Sequence, residues 1–295
     1  MGRVHDALRR AGIIDPLASG AAQSLSSLAT SLPIWDAAAT SRELLQLVKS
    51  VPNRVSSDAL IFDPLLPGEP SIEEFRALRT RLNHMQSQQP IHTVVIASAS
   101  PAEGKSFTAT NLALAEAQVS GNLTLLCDFD LRRPVINKLF EIEGGPGVTD
   151  YLQNKVSLEA ALRRVGETNL YIMPAGQPVN NPLELLNLDA ARQMLQRLPS
   201  IFNWIIIDTP PLLFAADGNL LATLSDGTIL VVRIGATAAD SVARVMQSLC
   251  RNNLIGVVVN GARRGELYNK YTSYYHSYRP ASENQNASTS ESGVL

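Results

Sequence analysis

From residue 92 onward, short runs of β-branched and aliphatic residues alternate with longer stretches of mixed polarity. The apolar runs predict strands over 93–97, 123–127, 170–173, 204–207, 228–232 and 256–259, and the stretches between them predict helices over 105–119, 157–164, 188–198 and 239–251. None of the strands alternates apolar with polar positions, as a half-solvated sheet requires. Unbroken apolar strands separated by helices are the pattern of a mostly parallel sheet covered by helices on both faces. One α/β domain is expected over residues 58–265.

On either side of that domain the pattern is weaker. Val4, Ala7, Leu8 and Ala11 recur at helical spacing ahead of Gly12. The following stretch, rich in Ala, Ser, Leu and Thr with scattered prolines, reads as an arm or linker with a short helix near 41–49, so residues 1–57 are assigned to an N-terminal arm. Pro64, Pro67 and Pro70 lead to Ser71-Ile-Glu-Glu, a capping box that opens a helix running to about Met85. At the far end, 281–295 is rich in Ser, Asn and Glu and almost free of apolar residues; it reads as disordered, the end of a tail over 266–295.

Charge narrows the function classes. The 25 basic and 27 acidic residues leave a net charge of −2, which argues against nucleic acid as a partner held by a general basic surface. Two cysteines are too few for a disulfide framework. No apolar run reaches the roughly 18 residues of a membrane span, and no signal segment is visible, so a cytoplasmic location is expected. One feature is anomalous: of seven tyrosines, five (Tyr268, Tyr271, Tyr274, Tyr275 and Tyr278) fall in eleven residues, where an even spread would place fewer than one.

The candidate chemistry lies at strand ends. After the first strand of the domain comes Ala99-Ser-Pro-Ala-Glu-Gly-Lys-Ser106, which has phosphate-loop spacing with Ala99 in the first glycine position. Such a loop turns its backbone N–H groups, and the helix that follows, toward phosphates. Ser100, Pro101, Ala102, Glu103, Gly104, Lys105, Ser106 and Phe107 are the candidate nucleotide-binding residues. Lys105 is expected to reach the β/γ-phosphates and the Ser106 hydroxyl to ligate Mg²⁺. A second strand ends in Asp128-Phe-Asp130, and a third in Asp208-Thr-Pro-Pro. Ligands of open α/β sheets sit at the carboxyl ends of strands, so the three carboxylates should gather near the loop.

Together these residues resemble the bacterial tyrosine kinases that control capsule and exopolysaccharide synthesis. The resemblance covers roughly 62–278 and rests on the phosphate loop, Asp128-Phe-Asp-Leu-Arg-Arg-Pro134, Asp208-Thr-Pro-Pro, the helix Glu73-x-x-Arg76-x-x-Arg79 and the tyrosine cluster. It implies a phosphate-loop ATPase fold of the ParA/MinD-like type, with ATP and Mg²⁺ as cofactors. It further implies ring-like self-association, phosphorylation of the cluster between subunits, a membrane-embedded polysaccharide co-polymerase as activator, a cognate tyrosine phosphatase, and recruitment to the inner face of the membrane. The absence of a membrane segment matches the split form, whose activator is a separate protein. The nearest alternative is a ParA/MinD-like positioning ATPase without kinase activity.

The roles implied are these. Lys105, Asp128 and Asp130 serve catalysis, and Ser106, Asp130 and Asp208 hold the metal. Asp128 is the candidate base for the phenol, or else a group one shell out from magnesium. Arg132 and Arg133 stabilise transferred charge or merely begin a solvated helix. Asn260 borders the adenine or is a turn residue. Glu73, Arg76 and Arg79 form a subunit contact or an intrahelical salt bridge. Ala102 stands where the family usually has glycine, and a positive φ there would strain the loop.

Overall fold

The computed structural model describes residues 41–56, 70–249 and 254–262. Within them the strands are β1 (Lys49–Val51), β2 (Thr93–Ser98), β3 (Thr124–Asp128), β4 (Arg163–Val165), β5 (Leu170–Met173), β6 (Trp204–Asp208), β7 (Gly227–Arg233) and β8 (Leu254–Asn260). They form one sheet in the order β1-β4-β5-β3-β6-β2-β7-β8, parallel at every junction except the antiparallel β4–β5 pair. The helices are α1 (Ser41–Gln46), α2 (Pro70–Gln88), α3 (Lys105–Ala117), α4 (Ile136–Leu139), α5 (Val148–Leu152), α6 (Leu158–Ala161), α7 (Pro182–Leu186), α8 (Asp189–Arg197), α9 (Ala216–Leu224) and α10 (Ala239–Leu249). Among the described residues no helix is long and apolar enough to cross a membrane.

The unbroken apolar strands are explained by two cores, one on each face. Val94, Ile96, Leu126, Trp204 and Ile206 point toward α2 and α3, where they meet Ile72, Phe75, Leu82, Leu112 and Ala113. Their strand neighbours Val95, Ala97, Leu125, Cys127, Ile205 and Ile207 point the other way, into a core shared with Met194, Leu221, Val245 and Leu249 of α8, α9 and α10. Each aliphatic side chain fully removed from water contributes about 1.5–3 kcal/mol, more than a typical single hydrogen bond. The central strands are therefore fixed from both sides, and the ends of β2, β3 and β6 are held in register beside one another.

Two expectations are corrected. The helix expected over 157–164 is the single-turn α6 followed by β4. Leu162 takes an extended backbone (φ −91, ψ 156), and the Arg163 guanidinium donates to the carbonyls of Ala160 and Leu162 at 2.8 and 2.7 Å, ending the helix. The domain also starts before residue 58. β1 pairs in parallel with β4, Lys49 opposite Arg163, and Leu44 and Val48 are buried in the core. The rest of the expected N-terminal arm and the tyrosine tail lie outside the described residues.

Candidate functional site

The phosphate loop links Ser98, the end of β2, to Lys105, the start of α3. Two of its residues adopt left-handed backbone conformations: Ala102 at φ 62 and Gly104 at φ 98. At Gly104 the positive φ disfavours any side chain, and an added Cβ, 2.0 Å from Asn260 Nδ2, would also push the Asn260 amide aside. The Glu103 carboxylate is buried and turned into the protein, where it accepts hydrogen bonds from Ser100 N (3.0 Å) and the Thr237 hydroxyl (2.7 Å). Arg233 Nη1 donates to the Ala102 carbonyl at 3.0 Å, and Asn260 Nδ2 donates to the Glu103 carbonyl at 2.9 Å. Asn260 Oδ1 accepts from Gly261 N at 2.8 Å. Asn260 is thus engaged with the loop, and Phe107 turns its ring onto Phe75 of α2.

The strand-end carboxylates converge as the sequence implied. β6 lies between β2 and β3, and Asp128 stands directly opposite Asp208 in the β3–β6 register. Lys105 Nζ donates to Asp130 Oδ2 at 2.9 Å, lies 3.6 Å from Asp208 Oδ1, and donates to Ser106 Oγ at 3.2 Å. Burial alone would lower the Lys105 pKa, but Asp208, Asp130 and Asp128 outweigh it and raise it. The ammonium is therefore firmly charged and suited to neutralising phosphate oxygens.

Asp208 is fully buried, and neither of its oxygens has a hydrogen-bond partner of acceptable geometry. Burial raises its pKa, opposed by Lys105 and the nearby Ser106 hydroxyl. A buried carboxylate with open lone pairs, beside a hydroxyl and Asp130, is a donor set that fits a hard divalent cation. Among the described residues no three His, Cys, Asp or Glu side chains are arranged as a metal cage. Magnesium at Ser106, Asp130 and Asp208 would thus need nucleotide phosphates and water to complete its shell, which is its usual mode of binding.

Asp128 is also fully buried. Its Oδ2 accepts from Val135 N and Ile136 N, both at 3.0 Å, and its Oδ1 from Asp130 N at 3.2 Å. It therefore organises the turn from β3 into α4 whatever else it does. Burial first and the charge of Asp208 second push its pKa up to about 7, against those two Oδ2 bonds. Arg132 reaches across to α9, its Nε 2.8 Å and Nη2 3.4 Å from the carboxylate oxygens of buried Asp217. The Arg133 backbone N–H donates to Asp130 Oδ1 at 3.0 Å.

On α2, Glu73 and Arg76 form an exposed i, i+3 ion pair. Arg79 turns inward instead, donating to the Ala115 carbonyl in the last turn of α3 at 3.0 Å. Tyr268, Tyr271, Tyr274, Tyr275 and Tyr278 lie outside the described residues. The sequence reading missed Arg233, Thr237 and Asp217. Thr237 and Asp217 carry no motif, and Arg233 follows an apolar run whose end was read only as a strand boundary.

No family model matches the chain. Over 193 residues it is 35% identical to the tyrosine-protein kinase YwqD of Bacillus subtilis, a match that covers 65% of this chain and 81% of that protein. It is 32% identical over 197 residues to the tyrosine-protein kinase Etk of Escherichia coli, covering 66% of this chain and 27% of that longer protein. The solved kinase domain of the E. coli enzyme superposes with a TM-score of 0.64 at 27% identity, over 76% of this chain and 95% of that one. The septum site-determining protein MinD of Pyrococcus horikoshii, solved with Mg-ADP, shares the fold at 20% identity and a TM-score of 0.52, over 60% of this chain and 72% of that one.

Proposed function

The chain belongs to the bacterial tyrosine-protein kinases, and from that premise we propose that it transfers the γ-phosphoryl group of ATP to the tyrosines of its own C-terminal cluster, one copy acting on another. The observation that carries this reading is the convergence of Lys105, Asp130 and Asp208, a buried carboxylate paired in charge with Lys105 but accepting no hydrogen bond, at the mouth of a phosphate loop. Phosphoryl transfer asks a protein mainly for positioning and charge neutralisation, and these groups supply both. The first N–H groups of α3 cradle the phosphates, and Lys105 neutralises the γ-phosphate. Ser106, Asp130 and Asp208 would hold magnesium, which would supply positive charge to the phosphates.

Asp128 accepts the phenolic proton. A phenol with a pKa near 10 benefits from a base, and a carboxylate lifted toward 7 is well matched to that task at neutral pH. Arg132, held by Asp217, steadies charge on the incoming phosphoacceptor side. The acceptors are Tyr268, Tyr271, Tyr274, Tyr275 and Tyr278. Asn260 serves the nucleotide through its grip on the loop, with its amide beside Gly104.

The wider setting rests on the family resemblance: regulation of capsular or exopolysaccharide synthesis or export, an activating membrane-embedded co-polymerase that recruits the protein to the inner face of the membrane, and a cognate tyrosine phosphatase. Ring-like self-association would use Glu73 and Arg76 of α2, while Arg79 stays engaged with α3. Incubation with Mg-ATP followed by mass spectrometry tests the reaction. Phosphotyrosine within 268–278 in the unaltered chain and none in Lys105→Met is expected. Steady ATP hydrolysis without phosphotyrosine would instead favour a positioning ATPase.

A further inference from the structure

Ala102 holds a left-handed backbone (φ 62) that L-residues other than asparagine and aspartate seldom adopt. For a residue with a Cβ that conformation is disfavoured by about tenfold relative to glycine. A loop left to itself would therefore spend much of its time with Ala102 elsewhere, and its N–H groups would not converge. Contacts from the end of the neighbouring strand β7 and the turn that follows it oppose this. The Arg233 guanidinium donates to the carbonyl of Ala102 itself at 3.0 Å. The Thr237 hydroxyl donates to Glu103 Oε1 at 2.7 Å, while Glu103 Oε2 takes Ser100 N at 3.0 Å. Thr237 Oγ1 also accepts from Arg233 N at 2.8 Å, so the two residues act as one unit.

We infer that Arg233 and Thr237 form a strap that holds the phosphate loop in a binding-competent shape its own Ala102 disfavours, and that they are positioning residues for nucleotide binding. The inference rests on the reading of this loop as a nucleotide site. Its distinguishing consequence is energetic coupling. If the strap acts by selecting a loop conformation, apparent affinity scales with the fraction of molecules in that conformation. Removing the strap should then matter greatly where the loop carries alanine and little where it carries glycine.

The test is isothermal titration of the full chain with the non-hydrolysable ATP analogue AMP-PNP and magnesium. In the unaltered background Arg233→Ala should weaken binding about five- to tenfold, and in the Ala102→Gly background by at most about twofold. Thr237→Val should show the same pattern with a smaller loss, and it guards against a folding defect peculiar to one variant. Equal losses in both backgrounds would mean that Arg233 acts by touching the nucleotide, and would overturn the strap while leaving the nucleotide site intact. No loss in either background would overturn it as well. An unaltered chain that binds no AMP-PNP would overturn the nucleotide reading and the strap with it.

Discussion

Replacing Glu116 by glutamine should stabilise this protein several-fold more at pH 8 than at pH 5. Glu116 lies in the last turn of α3, fully buried, where the helix dipole disfavours a carboxylate. Its Oε2 accepts from Asn83 Nδ2 of α2 at 2.8 Å, and its Oε1 has no hydrogen-bond partner. Burial raises its pKa from an ordinary 4.5 to about 7, with Asn83, Arg79 and Asn122 offsetting only part of the effect. An acid whose pKa is higher in the folded state keeps its proton there while the unfolded chain has lost it. Stability is therefore present below pH 4.5 and lost progressively as the pH rises to 7. The full rise corresponds to about 3 kcal/mol. A glutamine keeps the acceptor that Asn83 uses and never ionises, so Glu116→Gln should recover most of that amount at pH 8. For a domain of this size that is a Tm increase of roughly 5–10 °C. Urea or thermal unfolding of both proteins at pH 5 and pH 8 measures it. A difference that is the same at both pH values, or a loss at pH 8, would refute the reasoning.

Asp128→Asn should lower the rate of autophosphorylation by about 10²–10⁴-fold, the usual contribution of a general base. In the unaltered chain the initial rate should rise with pH until Asp128 is ionised, near 7, and that limb should vanish in the variant. Gly104→Ala should abolish AMP-PNP binding in a titration, because the new Cβ meets Asn260 at 2.0 Å and φ is 98. Adding Asn260→Ala should relieve the clash but not the backbone strain, and restore only part of the affinity. Arg132→Ala should cost about tenfold or more in the rate of phosphotyrosine formation, and Asp217→Asn a smaller factor, since it weakens the hold on Arg132 without removing the cation.

The central half of the sheet was readable because β2, β3, β5, β6 and β7 are buried on both faces and so are written as plain apolar runs. The edge was not. β1 is Lys-Ser-Val and β4 is Arg-Arg-Val, three-residue strands with a single apolar side chain each, which no periodicity marks. α9 was hidden by Asp217 and Gly218, which look like turn residues in sequence. Gly218 is there because an added Cβ would meet the Pro210 carbonyl and Leu212, and Asp217 because it anchors Arg132. Within the site, spacing alone located Lys105, Asp128, Asp130 and Asp208, since strand ends in a parallel sheet must meet. It did not show that Glu103 points inward, or that Asp128 is held by three backbone N–H groups, because neither follows from residue type. Glu116 did carry a signal: a charge on the same helical face as Leu112 and Ala113.

The most direct test of the account mixes two defective chains. One is Lys105→Met, which keeps every tyrosine but lacks the phosphate-neutralising ammonium. The other ends at Arg264, which keeps the site but lacks the cluster. With Mg-ATP, phosphotyrosine should form on residues 268–278 of the Lys105→Met chain when the two are mixed, and on neither chain alone. Phosphate on the mixed sample at no tyrosine, or equal labelling of Lys105→Met by itself, would contradict it.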